Sequence, residues 1–174
     1  MTGDIKTLIT EHEINKRIRE MAQLISHDYH NKQVKLIGIL KGAVFFMVDL
    51  AKALNEIPVT MDFMDVSSYG ASTCTSGEVR VLKDLDEPIE NEHVLLVEDI
   101  IDTGLTIRFI LKQLAGRNPA SLKICTLLDK PSRREVEVPI DYIGFTIPNE
   151  FVIGFGLDYD QRYRNLPYIG VLSE

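Results

Sequence analysis

The residues best suited to chemistry fall together in Glu98-Asp99-Ile100-Ile101-Asp102-Thr103-Gly104-Leu105-Thr106. When ionised, Glu98 and Asp99 only accept hydrogen bonds, which suits the vicinal hydroxyls of a ribose or, through water, a divalent cation. The segment from Asp102 to Thr106 can cradle an anion, because Thr103 and Thr106 bring hydroxyl donors and Gly104 lets backbone amides come close. Asp102, beside a bound phosphate, can serve as a base. The segment is not a Walker loop, since Gly-x-x-x-x-Gly-Lys-Ser/Thr is absent and Leu105 stands where a lysine would precede the threonine; nor is it the dinucleotide Gly-x-Gly-x-x-Gly. A plain loop that solubilises a strand end would explain acidic residues, but not carboxylates, a glycine and hydroxyls that together satisfy one ligand shape.

The flanking residues say what holds this segment. Val94-Leu95-Leu96-Val97 is an unbroken apolar run, as expected of a parallel strand buried on both faces and ending at the carboxylates. Ile107, Ile110, Leu111 and Leu114 then mark one helical face, so the acidic segment joins a strand to a helix whose unpaired N–H groups carry the positive end of its dipole. Residues 34–40 predict another strand, with Lys41-Gly42 as a tight turn into a helix bearing Phe45, Phe46, Leu50, Ala53 and Leu54. Taken alone, that turn is an ordinary strand-to-helix connection with a surface lysine. Residues 122–128 predict a strand that Asp129-Lys130-Pro131 ends, which puts a lysine at the sheet edge where ligands of open α/β sheets bind.

Elsewhere, Thr10-Glu11-His12-Glu13 is a capping box for a helix with Ile14, Ile18, Met21 and Ile25 on one face. Residues 60–66 and 79–82 predict strands, and the small polar residues 67–77 between them have the length and composition of a functional lid or of a floppy hairpin tip. Residues 142–145 and 151–155 predict short aromatic strands, followed by Leu157-Asp158-Tyr159, Arg162 and Arg164. Strands alternating with helices imply an α/β fold: a twisted, mainly parallel sheet flanked by helices, with a small lobe from the chain ends.

A chain of 174 residues fits one domain over 1–174, and 45% hydrophobic residues are enough for a sizeable core. A net charge of −7 repels nucleic acid and anionic membranes, so a small anionic substrate has to meet a local positive site. The amino-terminal residues lack a signal-peptide pattern, and a cytoplasmic location is expected. Cys74 and Cys125 lack metal-ligand spacing, and the four histidines, His12, His27, His30 and His93, are scattered.

From Val94 to Thr106 the sequence resembles the signature of type I phosphoribosyltransferases, and its Glu-Asp-Ile-Ile-Asp form resembles their hypoxanthine-guanine branch. The resemblance runs from the opening helix to Val171. It implies the fold of that family, with a hood lobe, and a magnesium-dependent transfer of phosphoribose from phosphoribosyl pyrophosphate to hypoxanthine or guanine in purine salvage. Glu98 and Asp99 would then hold the ribose hydroxyls and take part in metal binding. Asp102, Thr103, Gly104, Leu105 and Thr106 would hold the 5-phosphate, with Asp102 also the general base near purine N7. Lys41, Gly42 and Arg164 would contact pyrophosphate, Leu40-Lys41 commonly being a non-proline cis peptide in the family. Lys130 would donate to the 6-oxo group, Phe151 stack on the base and Val152 meet the base edge through its backbone, while Asp158 lies beside the base and on magnesium. Ser68 and Tyr69 resemble the closing loop. A homodimer or homotetramer is implied, with the 6-oxopurine and phosphoribosyl pyrophosphate as small-molecule partners. Some members carry lysine where this chain has Leu105.

Rival classes fit less well. A phosphoryl-transfer hydrolase would show Asp-x-Asp-x-Thr, whereas two isoleucines separate Asp99 from Asp102. An RNA-binding relative would need a basic stripe that this acidic chain lacks. An adenine-specific enzyme is disfavoured because cationic Lys130 cannot accept from a 6-amino group.

Overall fold

Alternating side chains explain how the central strands bury both faces. In the computed structural model, which describes residues 4–68 and 79–172, the elements are β1 (Ile5–Ile9), α1 (Glu11–Asp28), β2 (Val34–Leu40), α2 (Val44–Ala53), β3 (Val59–Ser68), β4 (Val79–Lys83), β5 (His93–Ile101), α3 (Leu105–Ala115), β6 (Ser121–Asp129), β7 (Tyr142–Thr146), β8 (Val152–Ile153) and β9 (Ile169–Leu172). On β5, Leu95 and Val97 join the core shared with α1 and α2, while Val94 and Leu96 join the core shared with α3. The unbroken apolar run is thus two period-two faces interleaved, each fully buried. Residues of β2 divide the same way, with Leu36 on the first side and Ile37 and Ile39 on the second.

The main sheet has the order β4-β3-β2-β5-β6-β7, parallel throughout except for β4, which runs antiparallel to β3. Placing β2, β5 and β6 side by side brings their carboxyl ends to one edge. A separate antiparallel sheet, β1-β9-β8, forms the small lobe, built from the two chain ends as expected. The capping box of α1 is present: the Thr10 amide donates to Glu13 Oε2 at 2.8 Å and the Glu13 amide donates to Thr10 Oγ1 at 3.3 Å. Ile14, Ile18, Met21 and Ile25 are buried beneath it. Arg17 then ties α1 to β7, its Nε and Nη2 donating to the Gly144 and Ile143 carbonyls at 2.9 and 2.7 Å.

Three expectations need correction. β5 does not end at the carboxylates: Ile100 and Ile101 still pair with Leu128 and Asp129 of β6, so Glu98 and Asp99 lie within the strand. Backbone pairing tolerates polar side chains that face a cavity instead of the core. The strand expected over residues 151–155 shrinks to Val152–Ile153, because Gly154, Phe155 and Gly156 at φ +95°, +48° and +101° turn the chain away. Ser67 and Ser68 are not loop but the end of β3, paired with Arg80 and Val79. Tyr69, with the rest of the lid expected over residues 67–77, lies outside the described residues.

Candidate active site

Extending β5 through Ile101 sinks the two carboxylates below the sheet edge, where Glu98 and Asp99 are 8% and 9% exposed. The Asp99 amide donates to Glu98 Oε1 at 3.1 Å and the Ile100 amide to Asp99 Oδ1 at 2.7 Å. Burial pushes both carboxyls above their ordinary range, Glu98 further, with the charge of Asp99 adding to the effect; Arg164 pulls Asp99 the other way. Such a pair favours ligands that return what water would have given: hydroxyl donors or a cation.

Beyond the pair the backbone folds over a cavity of about 170 Å³ lined by residues 98–104 with Thr106 and Ile107. Gly104 is the N-cap of α3 at φ +84°, and a Cβ there would stand 2.7 Å from the Val136 carbonyl, so the turn requires glycine. Gly104 has no side chain to cap the helix, which leaves the amides after Leu105 for a ligand. The Leu105 amide donates to Thr103 Oγ1 at 3.3 Å. Leu105 itself is exposed. Asp102 Oδ1 is buried with no hydrogen-bond donor among the described residues, and Arg133 Nε is 3.4 Å away. An acceptor in that state suits a group that receives a proton.

Two other strand ends complete the edge. After β2, the peptide Leu40-Lys41 is cis, as the resemblance implied, and Lys41 is exposed. Gly42 packs against Asp99, where a Cβ would meet Oδ2 at 1.8 Å, and Gly156 of the small lobe packs on Gly42, its Cβ position 2.0 Å from the Gly42 carbonyl. Only glycines allow this stack of carboxylate, turn and lobe. After β6, Lys130 is 6% exposed; its amide donates to the Ile101 carbonyl at 3.0 Å and its Nζ to the Glu150 carbonyl at 2.7 Å.

The small lobe supplies the rest. Phe151 is 54% exposed and meets Tyr159 edge to face, ring centroids 5.8 Å apart. Val152 is buried in β8. Asp158 is already partnered, Oδ1 by Arg164 Nη2 and Oδ2 by the Gln161 amide, both at 2.8 Å, and Arg164 Nη1 donates to the Gly156 carbonyl at 2.6 Å. Arg164 Nε is buried with no acceptor among the described residues. The cradle, the carboxylate pair, the Lys41-Gly42 turn and Lys130 thus share one edge, with Phe151, Asp158 and Arg164 on the lobe against it. Sequence reasoning missed Tyr159 as a neighbour of Phe151, Arg133 beside Asp102, and Arg134 behind the cradle. The cations after Lys130 were visible in the sequence, but the Asp102 carboxylate beside Arg133 and the Ile101 and Asp102 carbonyls held by Arg134 lie far back along the chain.

That geometry agrees with what the chain is similar to. The phosphoribosyl transferase domain family matches residues 4–160. The hypoxanthine-guanine phosphoribosyltransferase of Bacillus subtilis is 50% identical over 174 residues, covering 99% of this chain and 96% of that protein. The chain belongs to the hypoxanthine-guanine phosphoribosyltransferase family. Membership accords with the α/β architecture of the main sheet and its helices. A crystal structure of a hypoxanthine phosphoribosyltransferase from Staphylococcus aureus superposes with a TM-score of 0.92 at 47% identity, over 97% of this chain and 91% of that one. The bifunctional TilS/HprT protein of Listeria monocytogenes is also 50% identical, but this chain spans only 27% of its length.

Proposed function

We propose that the cavity and the lobe against it transfer phosphoribose from phosphoribosyl pyrophosphate to hypoxanthine or guanine, giving IMP or GMP and pyrophosphate. The carrying observation is the hydrogen bond from the Lys130 amide to the Ile101 carbonyl, which ties a buried cation for a 6-oxo group to the wall of an anion cradle. Glu98 and Asp99 hold the ribose hydroxyls, and the amides of residues 102–106 with the Thr103 and Thr106 hydroxyls hold the 5-phosphate. Lys41, the Gly42 backbone and Arg164 meet pyrophosphate. As the bond from the anomeric carbon to pyrophosphate breaks, positive charge grows on the sugar, and a purine nitrogen attacks from the opposite face. Asp102 accepts the proton that the purine sheds near N7, Lys130 donates to the 6-oxo oxygen, and Phe151 stacks on the ring.

Magnesium fits this donor set in one manner. Among the described residues no group of three or more His, Cys, Asp or Glu side chains is arranged to hold a metal ion. Mg²⁺ commonly takes one or two carboxylates and draws its other ligands from water and substrate phosphates, so Glu98, Asp99 or Asp158 would share it with phosphoribosyl pyrophosphate. When bound, it neutralises the departing pyrophosphate.

A homodimer or homotetramer is part of the proposal, supported by Phe45 and Val48, both exposed one turn apart on α2. No helix among the described residues is long and apolar enough to cross a membrane, and the acidic balance is consistent with the cytoplasm. The deciding experiment incubates the protein with magnesium, phosphoribosyl pyrophosphate and each of the bases hypoxanthine, guanine, xanthine and adenine, and follows nucleotide formation. Hypoxanthine or guanine is converted and adenine is not; conversion of adenine alone would overturn the reading.

A further inference from the structure

Arg134 stands outside the cavity, its side chain 12% exposed, and grips the loop that forms the cradle. Nε donates to the Asp102 carbonyl at 2.9 Å and Nη2 to the Ile101 carbonyl at 3.3 Å, while Nη2 also pairs with the Asp129 carboxylate. The next two residues continue the grip, the Glu135 and Val136 amides donating to the Thr103 carbonyl at 2.9 and 3.2 Å. Three consecutive carbonyls are therefore drawn to one side. In a trans peptide the carbonyl and the following N–H point in opposite directions. Fixing the carbonyls of Ile101, Asp102 and Thr103 outward turns the amides of Asp102, Thr103 and Gly104 inward, where an anion would sit.

We propose that Arg134 is a positioning residue for the transfer, holding the cradle amides toward the 5-phosphate by restraining the two carbonyls at Ile101 and Asp102. The guanidinium suits the task because its planar fork serves two carbonyls at once and never loses its charge. Asp129 orients the fork. It also precedes Lys130, whose amide holds the same Ile101 carbonyl, so one carbonyl joins the phosphate half of the site to the base half. The role rests on the proposed transferase reading of the cavity.

The test separates the 5-phosphate from the rest of the nucleotide. IMP and inosine differ only in that group, so the ratio of their affinities, measured by calorimetry or by competition, reports the cradle. Arg134→Met shrinks the ratio about tenfold or more, while inosine affinity stays within about threefold. Lysine can reach one carbonyl but not both, so Arg134→Lys recovers part of the ratio. Asp129→Asn keeps an acceptor oxygen for Nη2 and removes only the charge, so the guanidinium stays oriented on both carbonyls and the ratio remains within about threefold of wild type. A wild-type ratio in Arg134→Met, or an equal loss in Asp129→Asn, overturns the proposal. Where Arg134→Met does not fold, Arg134→Lys decides: a reduced ratio with inosine binding kept supports the role, and a wild-type ratio ends it. A wild-type protein that fails to prefer IMP over inosine would instead overturn the transferase reading itself.

Discussion

Gly42 and Asp99 touch so closely that a Cβ on the glycine would stand 1.8 Å from the carboxylate oxygen Oδ2. The Lys41-Gly42 turn thereby fixes a buried acid on the neighbouring strand. Gly42→Ala forces that carboxylate aside, and we expect the KM for phosphoribosyl pyrophosphate to rise about tenfold or more, since a small misplacement of a ligand group is costly in rate and binding. Gly156→Ala acts through the fold instead: its φ of +101° and the Gly42 carbonyl 2.0 Å from the Cβ position both oppose a side chain. A loss of ~1–3 kcal/mol in stability follows from such backbone strain, read as a lowered Tm. Unchanged sugar-phosphate kinetics in Gly42→Ala would remove Asp99 from the ribose site.

Asp102→Asn keeps size and an acceptor oxygen while removing the proton acceptor. Turnover is expected to fall ~100-fold or more with little change in phosphoribosyl pyrophosphate binding, as for an interaction made mainly in the transition state. Asp102 Oδ1 accepts no hydrogen bond among the described residues and its ion pair with Arg133 is half exposed, so the fold should be little disturbed. Stopped-flow turnover beside equilibrium binding checks both halves, and near wild-type turnover ends the general-base role.

Glu98 and Asp99 make binding depend on pH. Burial raises both carboxyls above ordinary values of 4.5 and 3.8, so between these and the raised values the folded protein holds more protons than the unfolded chain. Their contribution to stability is therefore present at low pH and lost as pH rises toward the raised values. Ribose hydroxyls or a cation favour the ionised pair, so binding of phosphoribosyl pyrophosphate with magnesium expels a proton and strengthens with pH, by up to about tenfold per unit for each proton released. Calorimetry in buffers of different ionisation heat measures this. Glu98→Gln should abolish most of the release; the absence of any release from wild type would contradict the raised values.

Lys130→Gln replaces a cation that only donates with an amide that can donate or accept. The preference for hypoxanthine over adenine in kcat/KM should drop ~10-fold or more. Phe151→Ala should raise the KM for the base with a smaller effect on the sugar phosphate, because it removes an exposed stacking face. If neither variant alters base kinetics, the purine binds elsewhere.

The central strands were legible because burial on both faces writes itself as continuous apolar sequence, as in Val94 to Val97, and α1 because its capping box and spacing are local. What the sequence hid depends on distant partners. Ile5-Lys6-Thr7-Leu8-Ile9 has little of its own to mark a strand, and it becomes one by pairing with Ile169–Leu172 at the far end of the chain. Glu98 and Asp99 read as a strand end because polar residues usually leave the sheet; here β6 keeps pairing beside them. Carboxylates, cradle and Lys130 could be named as candidates from residue type and family likeness, whereas Arg134 could not, since the cradle atoms it holds are the carbonyls of Ile101 and Asp102, which carry no side-chain signature.

The pairing of β1 with β9 also sets an order of assembly on the ribosome. The strands of the main sheet are complete once residue 146 has been made, and the loop of Asp102 to Thr106 needs nothing later than Val136 to hold it. Ile5–Ile9, synthesised before the other strands described, has no strand partner among the described residues until residues 169–172 arrive. During that interval a bare strand edge is open to mispairing with other chains, the usual hazard of contacts distant in sequence. The phosphate half of the pocket thus matures early and from contiguous chain, while the lobe bearing Phe151 and Asp158 closes only with the last strand, so a stalled nascent chain is expected to hold a sugar phosphate before it can recognise a purine.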